Sequence, residues 1–245
     1  MKVSGDGAVR ELGDRGRPVA LAREQLLAVL PPLAGLFPEG GLRRGSTVVV
    51  NPGRRVGDGA TSLAFALLVA ASQAGSWCAA VGLSELGPVA AAGLGVCLER
   101  LALVPDPGDQ WPVVTAALLD AVDLVLVRPP WRPRLTDVRR LAARARERGG
   151  VLLPFSGSWP EGADLRLAVA ASAWQGLGEG HGHLHARAME VTASGRGAAV
   201  RERRVGLWLP GPDGTLAALE ELTDVAAPAE AADVSVPMVP MPVAG

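Results

Sequence analysis

Between residues 46 and 155 the chain alternates short apolar runs with longer helical ones. Ser46–Val50 (STVVV), Trp77–Val81 (WCAAV), Leu101–Val104, Asp123–Val127 (DLVLV) and Val151–Phe155 (VLLPF) read as strands. They are short, and nearly uninterrupted in apolar character, as strands covered on both faces are. Ala60–Ala74, Val89–Gly93, Pro112–Ala121 and Thr136–Arg148 fall between them and read as helices. Strand–helix alternation of this kind predicts an α/β fold, with a mostly parallel sheet flanked by helices. After residue 155 the pattern changes. Leu165–Ala170, His183–Ala193 and Ala198–Leu209 read as strands, with Ser194-Gly195-Arg196-Gly197 as a hairpin turn. That predicts an antiparallel C-terminal extension.

Three regions follow: an N-terminal segment over 1–35, a core over 36–211 and a tail over 212–245. Leu21–Leu30 (LAREQLLAVL) has helical spacing, and Pro31-Pro32 stops it. The tail carries Asp213, Glu220, Glu221, Asp224, Glu230 and Asp233 without a single base. After a short helical stretch at Thr215–Leu222 it becomes Ala/Pro/Val-rich, which predicts a flexible acidic end. The N-terminus lacks an apolar targeting run, and Ala60–Ala74 is too short to span a bilayer. A cytoplasmic protein without membrane contact is the expectation.

Composition enters through one residue type. The 24 basic residues include a single lysine, Lys2. Schiff-base chemistry, lysine general bases and the phosphate-binding lysine of a P-loop are therefore excluded from the core. Two cysteines, Cys78 and Cys97, stand far apart in apolar surroundings and read as core thiols, so zinc and thiol-redox motifs are excluded. His181, His183 and His185 would share a strand face, but no acid or thiol stands at ligand spacing. They read as a hairpin edge, with no metal. Ser156 and Ser158 lack the Gly-x-Ser-x-Gly setting of a hydrolase nucleophile.

The segment most suggestive of chemistry is Asn51-Pro52-Gly53-Arg54-Arg55-Val56-Gly57-Asp58-Gly59, between a strand and a helix. A Gly-rich loop in that place can cradle phosphate on backbone N–H groups. A working loop then needs Lys and Ser/Thr. Here Ala60 stands at the Lys position, and Thr61 keeps the hydroxyl. Gly53 also lies one residue too far from Gly59. Arg54 or Arg55 could supply a cation, but the arginine fork does not reproduce the reach of lysine.

The stretch GGLRRGSTVVVNPGRRVGDGATSLAFALLVAASQAG resembles the opening segment of the RecA-like recombinases, and Val81–Val96 (VGLSELGPVAAAGLGV) resembles the segment that follows. The resemblance covers roughly residues 36–210. It implies that the catalytic Glu position falls near Leu83, with Glu85 the nearest acid. It also implies that the metal-holding Asp at the end of Asp123–Val127 is replaced by Arg128. All three chemical positions are then lost, which implies a reduced RecA-like core that is a pseudo-ATPase, binds no cofactor and is not an enzyme. The closer likeness is to the ImuA type, actinobacterial form, with Trp174–His185 and Val191–Arg204 adding to it. That likeness implies an adaptor in DNA damage-induced mutagenesis, acting with RecA, an ImuB-like Y-family polymerase, an error-prone C-family polymerase and the sliding clamp. A more distant likeness is to SulA-type cell-division inhibitors, and a weak nucleotide-binding RecA paralogue is the other alternative.

Arg128–Arg148 is the basic block. Arg140, Arg144 and Arg148 fall on one helix face. With Trp131, Arg132, Arg134 and Arg139 they make a candidate surface for a protein partner or weak DNA contact. The connections Arg128–Leu135 and Ser156–Asp164 are shorter than the DNA-binding loops the resemblance implies.

Overall fold

The computed structural model describes residues 25–53, 57–84, 88–160, 162–177 and 182–219. Two short strands, β1 (Leu26–Leu27) and β2 (Leu42–Arg43), pair antiparallel and lead into the core. The parallel strands are β3 (Val48–Val50), β4 (Cys78–Val81), β5 (Leu101–Val104), β6 (Leu124–Val127), β7 (Val151–Pro154) and β8 (Leu165–Leu177). The antiparallel extension is β9 (Gly182–Gly195), β10 (Arg203–Trp208) and β11 (Ala217–Ala218). Among the described residues the strand order is β5-β4-β6-β7, then β3-β8-β9-β10-β11. The two stretches meet where Thr47 bridges Leu152 and Val50 bridges Phe155. The α/β architecture with its antiparallel end is therefore present as the sequence predicts.

Successive strand residues point to opposite faces, so each short apolar run feeds two cores. Val48, Val50, Ala80, Leu124, Leu126, Leu153 and Leu167 pack on the side of helix α1 (Ala60–Gln73). Val49, Ala79, Val81, Val125, Val127 and Leu152 pack on the other side. That side is covered by α3 (Trp111–Ala121) and α4 (Leu135–Arg148), while α2 (Pro88–Gly93) is a short turn of helix after β4. Helix α1 is buried almost all round, which explains its continuous apolar sequence. Helix α4 buries only Val138, Leu141, Ala142 and Ala145, at helical spacing, and stops at Gly149, whose φ of 67° few other residues adopt.

Five expectations are corrected. The expected strand Ala198–Leu209 begins only at Arg203, because Gly197–Ala199 turns as a 3-10 helix first. Residues 25–30 of the expected Leu21–Leu30 helix hold a turn and strand β1, because Leu27 pairs with Leu42 and enters the core. Residues 21–24 lie outside the described residues. Pro31-Pro32 opens a 3-10 helix, Pro31–Leu36, whose Leu33 and Leu36 are buried in the core. The helical reading of Thr215–Leu222 fails where described, since Ala217–Ala218 pairs with β10. Residues 220–245 lie outside the described residues. Strand β8 runs to Leu177, seven residues past the expected end, because β9 stays alongside it across bulges at Val169/Ala171 and Gln175/Leu177. Finally, Cys78 is buried but Cys97 is only partly so, and Cys97 Sγ lies 3.2 Å from Glu99 Oε2.

Candidate functional site

The carboxyl ends of β3, β4, β6 and β7 come together through register. Val81 pairs with Val127, Val127 with Pro154, and Val50 bridges Phe155. Loops at the carboxyl edge of a parallel sheet are where such folds place ligands. This edge gathers Asn51, Leu83, Arg128 and Ser156. The order of the strands puts β3 and its Gly-rich loop mid-sheet, flanked by β7 and β8.

The loop leads into α1 through Gly59, which is left-handed at φ 100°. Asp58 folds back into the loop. Its Oδ1 accepts the Ala60 N–H at 3.1 Å. A Cβ added at Gly53 would collide with its carboxylate, so the acid fills the hollow bounded by Gly53 and the start of α1. A carboxylate there satisfies the helix N-terminus much as a bound anion would. It also sets negative charge where a phosphate would have to sit. Ala60 is 2% exposed and belongs to the apolar core, and Thr61 follows it on the first turn. Gly57 is left-handed at φ 85°. Arg54 and Arg55 lie outside the described residues.

The sequence singled out no role for Arg187, on β9. It is 4% exposed, unusual for arginine. Its Nε donates to Leu209 O at 2.8 Å, its Nη1 to Gly57 O at 3.2 Å and its Nη2 to Ser62 Oγ at 2.9 Å. Trp174 covers its guanidinium, 4.8 Å from ring centroid to Cζ. One arginine thus ties the loop, α1 and the antiparallel extension together. Burial lowers its pKa, and the charge of Asp58 opposes that shift. Gly59 is required here: a Cβ would lie 2.6 Å from Arg187 Cζ and 2.7 Å from Met189 Sδ. No local pattern marks Arg187, because its partners in the loop and in α1, Gly57 and Ser62, stand more than a hundred residues away in sequence.

The other positions implied by the resemblance sit as follows. Leu83 is packed in the α1-side core at 6% exposure. Glu85 lies outside the described residues. Arg128 continues β6, its N–H donating to Val81 O at 2.9 Å, and its carbonyl is close enough to Gly82 to exclude a Cβ there.

The arginine block is only partly a surface. Arg144 forks onto both oxygens of Asp120 at 2.5 Å, and Arg148 Nε reaches the same carboxylate at 3.0 Å. Two of the three arginines in the expected stripe therefore clamp α4 to α3. The hydrogen bond from Arg144 holds the Asp120 carboxyl below its ordinary range. Trp131, Arg132, Arg134, Arg139 and Arg140 are exposed and pair with no described residue. Among the described residues no cluster of His, Cys, Asp and Glu is arranged to hold a metal. His183 and His185 are exposed on β9, and His181 lies outside the described residues. No helix among them is long and apolar enough to cross a membrane.

The sequence profile of the MT3502 N-terminal domain matches residues 35–161, the stretch from the end of the 3-10 helix to just past β7. The chain belongs to this family. The MT3502 N-terminal domain match holds the Gly-rich loop, Leu83, Arg128 and the arginine block, and ends before β8 and Arg187. The chain is also 39% identical over 119 residues to the uncharacterized protein Rv3395c of Mycobacterium tuberculosis. That alignment covers 48% of this chain and 57% of the relative, so it spans little more than half of the relative's length.

Proposed function

We propose that this chain is a non-catalytic adaptor on a RecA-like core, acting in DNA damage-induced mutagenesis in the cytoplasm. In this reading it links RecA to an ImuB-like Y-family polymerase, and through that complex to an error-prone C-family polymerase. The observation that carries the non-catalytic half is Asp58. Its carboxylate occupies the hollow of the Gly-rich loop, beside a buried Ala60 where a cation is needed. Adding a triphosphate there would bring like charges together at short range. Leu83 within the core and Arg128 at the end of β6 support the same conclusion. The partners rest on the sequence resemblance. The exposed cations of the Arg132–Arg140 stretch offer them a surface.

Two measurements test the proposal on the full chain. Calorimetry with ATP and Mg²⁺ is expected to show no binding, and tight binding overturns the pseudo-ATPase half. A tagged chain drawn from DNA-damaged cells is expected to bring down a Y-family polymerase and RecA. Recovery of neither, or of a tubulin-like division protein instead, overturns the adaptor half.

A further inference from the structure

Strand β3 pairs with β8 only from Val48–Leu165 to Val50–Leu167. The chain then leaves the sheet at Asn51, whose N–H donates to Leu167 O at 2.9 Å. Strand β8 continues for ten more residues with β9 on one side, and no described residue pairs with its other edge. Where β3 would have continued there is a cleft of about 900 Å3. One wall is the β8 edge, from Ala168 to Ser172 and Trp174; the other is Asn51, Pro52, Gly53, Gly57 and Asp58.

Register fixes which backbone groups face this slot. In a strand the N–H and C=O of one residue point the same way, and successive residues alternate. Leu167 points to β3, so Ala168 points to β9 and Val169 outward. The bulge absorbs Ala170. Ser172 and Trp174 then point outward again. Arg187, directly opposite Trp174, sends its N–H the other way, to Pro210 O at 2.8 Å, so the Trp174 backbone groups are not taken up by β9. Val169, Ser172 and Trp174 therefore present backbone donors and acceptors to the cleft. An unpaired edge of this kind is a template for an added strand.

The side walls state what kind of strand fits. Ala168, Val169, Ala170 and Ala171 are small and apolar. Among the described residues, Asp58 is the only charged side chain lining the slot, and only its Oδ1 accepts a hydrogen bond from a described residue, the Ala60 N–H. Trp174 is 42% exposed at the far end, with one face already on Arg187. We infer that the slot between β8 and the Gly-rich loop binds an extended peptide of a partner protein by strand addition, one whose small apolar residues lie on Ala168–Ala171 and whose arginine or lysine meets Asp58. The inference needs no particular partner, so it stands if the polymerase or RecA assignment fails.

The probe is a capped octapeptide of alternating Val and Ser with one central Arg, titrated into the full chain by calorimetry. A second peptide carries Glu in place of that Arg. Binding of the Arg peptide, at least about tenfold tighter than the Glu peptide, is expected. Amide exchange at Val169, Ser172 and Trp174 is expected to slow when it binds. Ser172→Pro removes an outward N–H without touching the β9 ladder. It is expected to abolish binding, while Ser172→Ala keeps it. Asp58→Asn is expected to erase the preference for Arg over Glu. Slowed exchange elsewhere, or equal binding by both peptides, overturns the proposal. So does protection of the same three amides in the free chain, whether it depends on concentration (a second copy) or disappears on removing residues 220–245 (the chain's own tail).

Discussion

Asp58 and Arg187 are both charged and both turned inward. Asp58 lies in the Gly-rich loop that the sequence marks, though not as its filler, and Arg187 lies in no local pattern that announces a role. Asp58 fills the loop, and Arg187 bolts the loop to the rest of the sheet. Removing the acid empties the hollow while leaving its N–H groups. Asp58→Ala is therefore expected to bind pyrophosphate at millimolar concentration, read as a rise in Tm that the unaltered chain does not show. Ala60→Lys alone is expected to recover no ATP binding and to lose about 1–3 kcal/mol of stability, because that position is closed by the core. Arg187→Ala strands the Leu209 and Gly57 carbonyls and the Ser62 hydroxyl. Urea unfolding is expected to show a loss of about 3 kcal/mol or more. Arg187→Lys should rescue little of it, since an ammonium cannot span three acceptors in one plane. At Cys78 burial pushes the thiol up to about 12. Iodoacetamide on the folded chain is expected to label Cys97 and spare Cys78, as mass spectrometry of the digest will show.

At the scale of elements, the apolar runs of β3, β6 and β7 were legible because burial on both faces leaves little choice of residue. Helix α4 was legible for the opposite reason, its single apolar stripe. The misread elements depend on partners distant in sequence. Leu26–Leu27 becomes a strand only because Leu42–Arg43 lies beside it, and β8 reaches Leu177 only because β9 returns along it. The arginine stripe shows the same limit: spacing put Arg144 and Arg148 on one face, but α3 supplied Asp120 to hold them. This clamp has a pH signature. The folded pKa of Asp120 lies below its unfolded value, so its stabilisation is complete above about pH 4. It is lost as pH falls through the lower folded value. Urea midpoints measured downward from pH 5 are expected to fall less steeply in Asp120→Asn than in the unaltered chain.

For the whole molecule, the sequence carried the α/β architecture with its antiparallel end. It did not carry the filling of the Gly-rich loop, because a hollow filled by Asp58 and tied by Arg187 exists only once the loop and β9 are folded together. The exposed cations then become the feature to test. Replacing Arg139 and Arg140 with Glu should change stability by no more than about 0.5 kcal/mol, as both side chains face solvent. Under the adaptor reading, the same variant is expected to lose the Y-family polymerase and RecA in the pull-down.

The tie made by Arg187 reaches further than stability. A nucleotide-driven core has a timer: its loop tightens on a triphosphate and relaxes when the bond is cut. In this chain the fastening is covalently part of the protein and cannot be hydrolysed or exchanged. Under the adaptor reading, such a molecule has no off state of its own. Control passes to supply, to how many copies the cell makes after damage and how soon it degrades them.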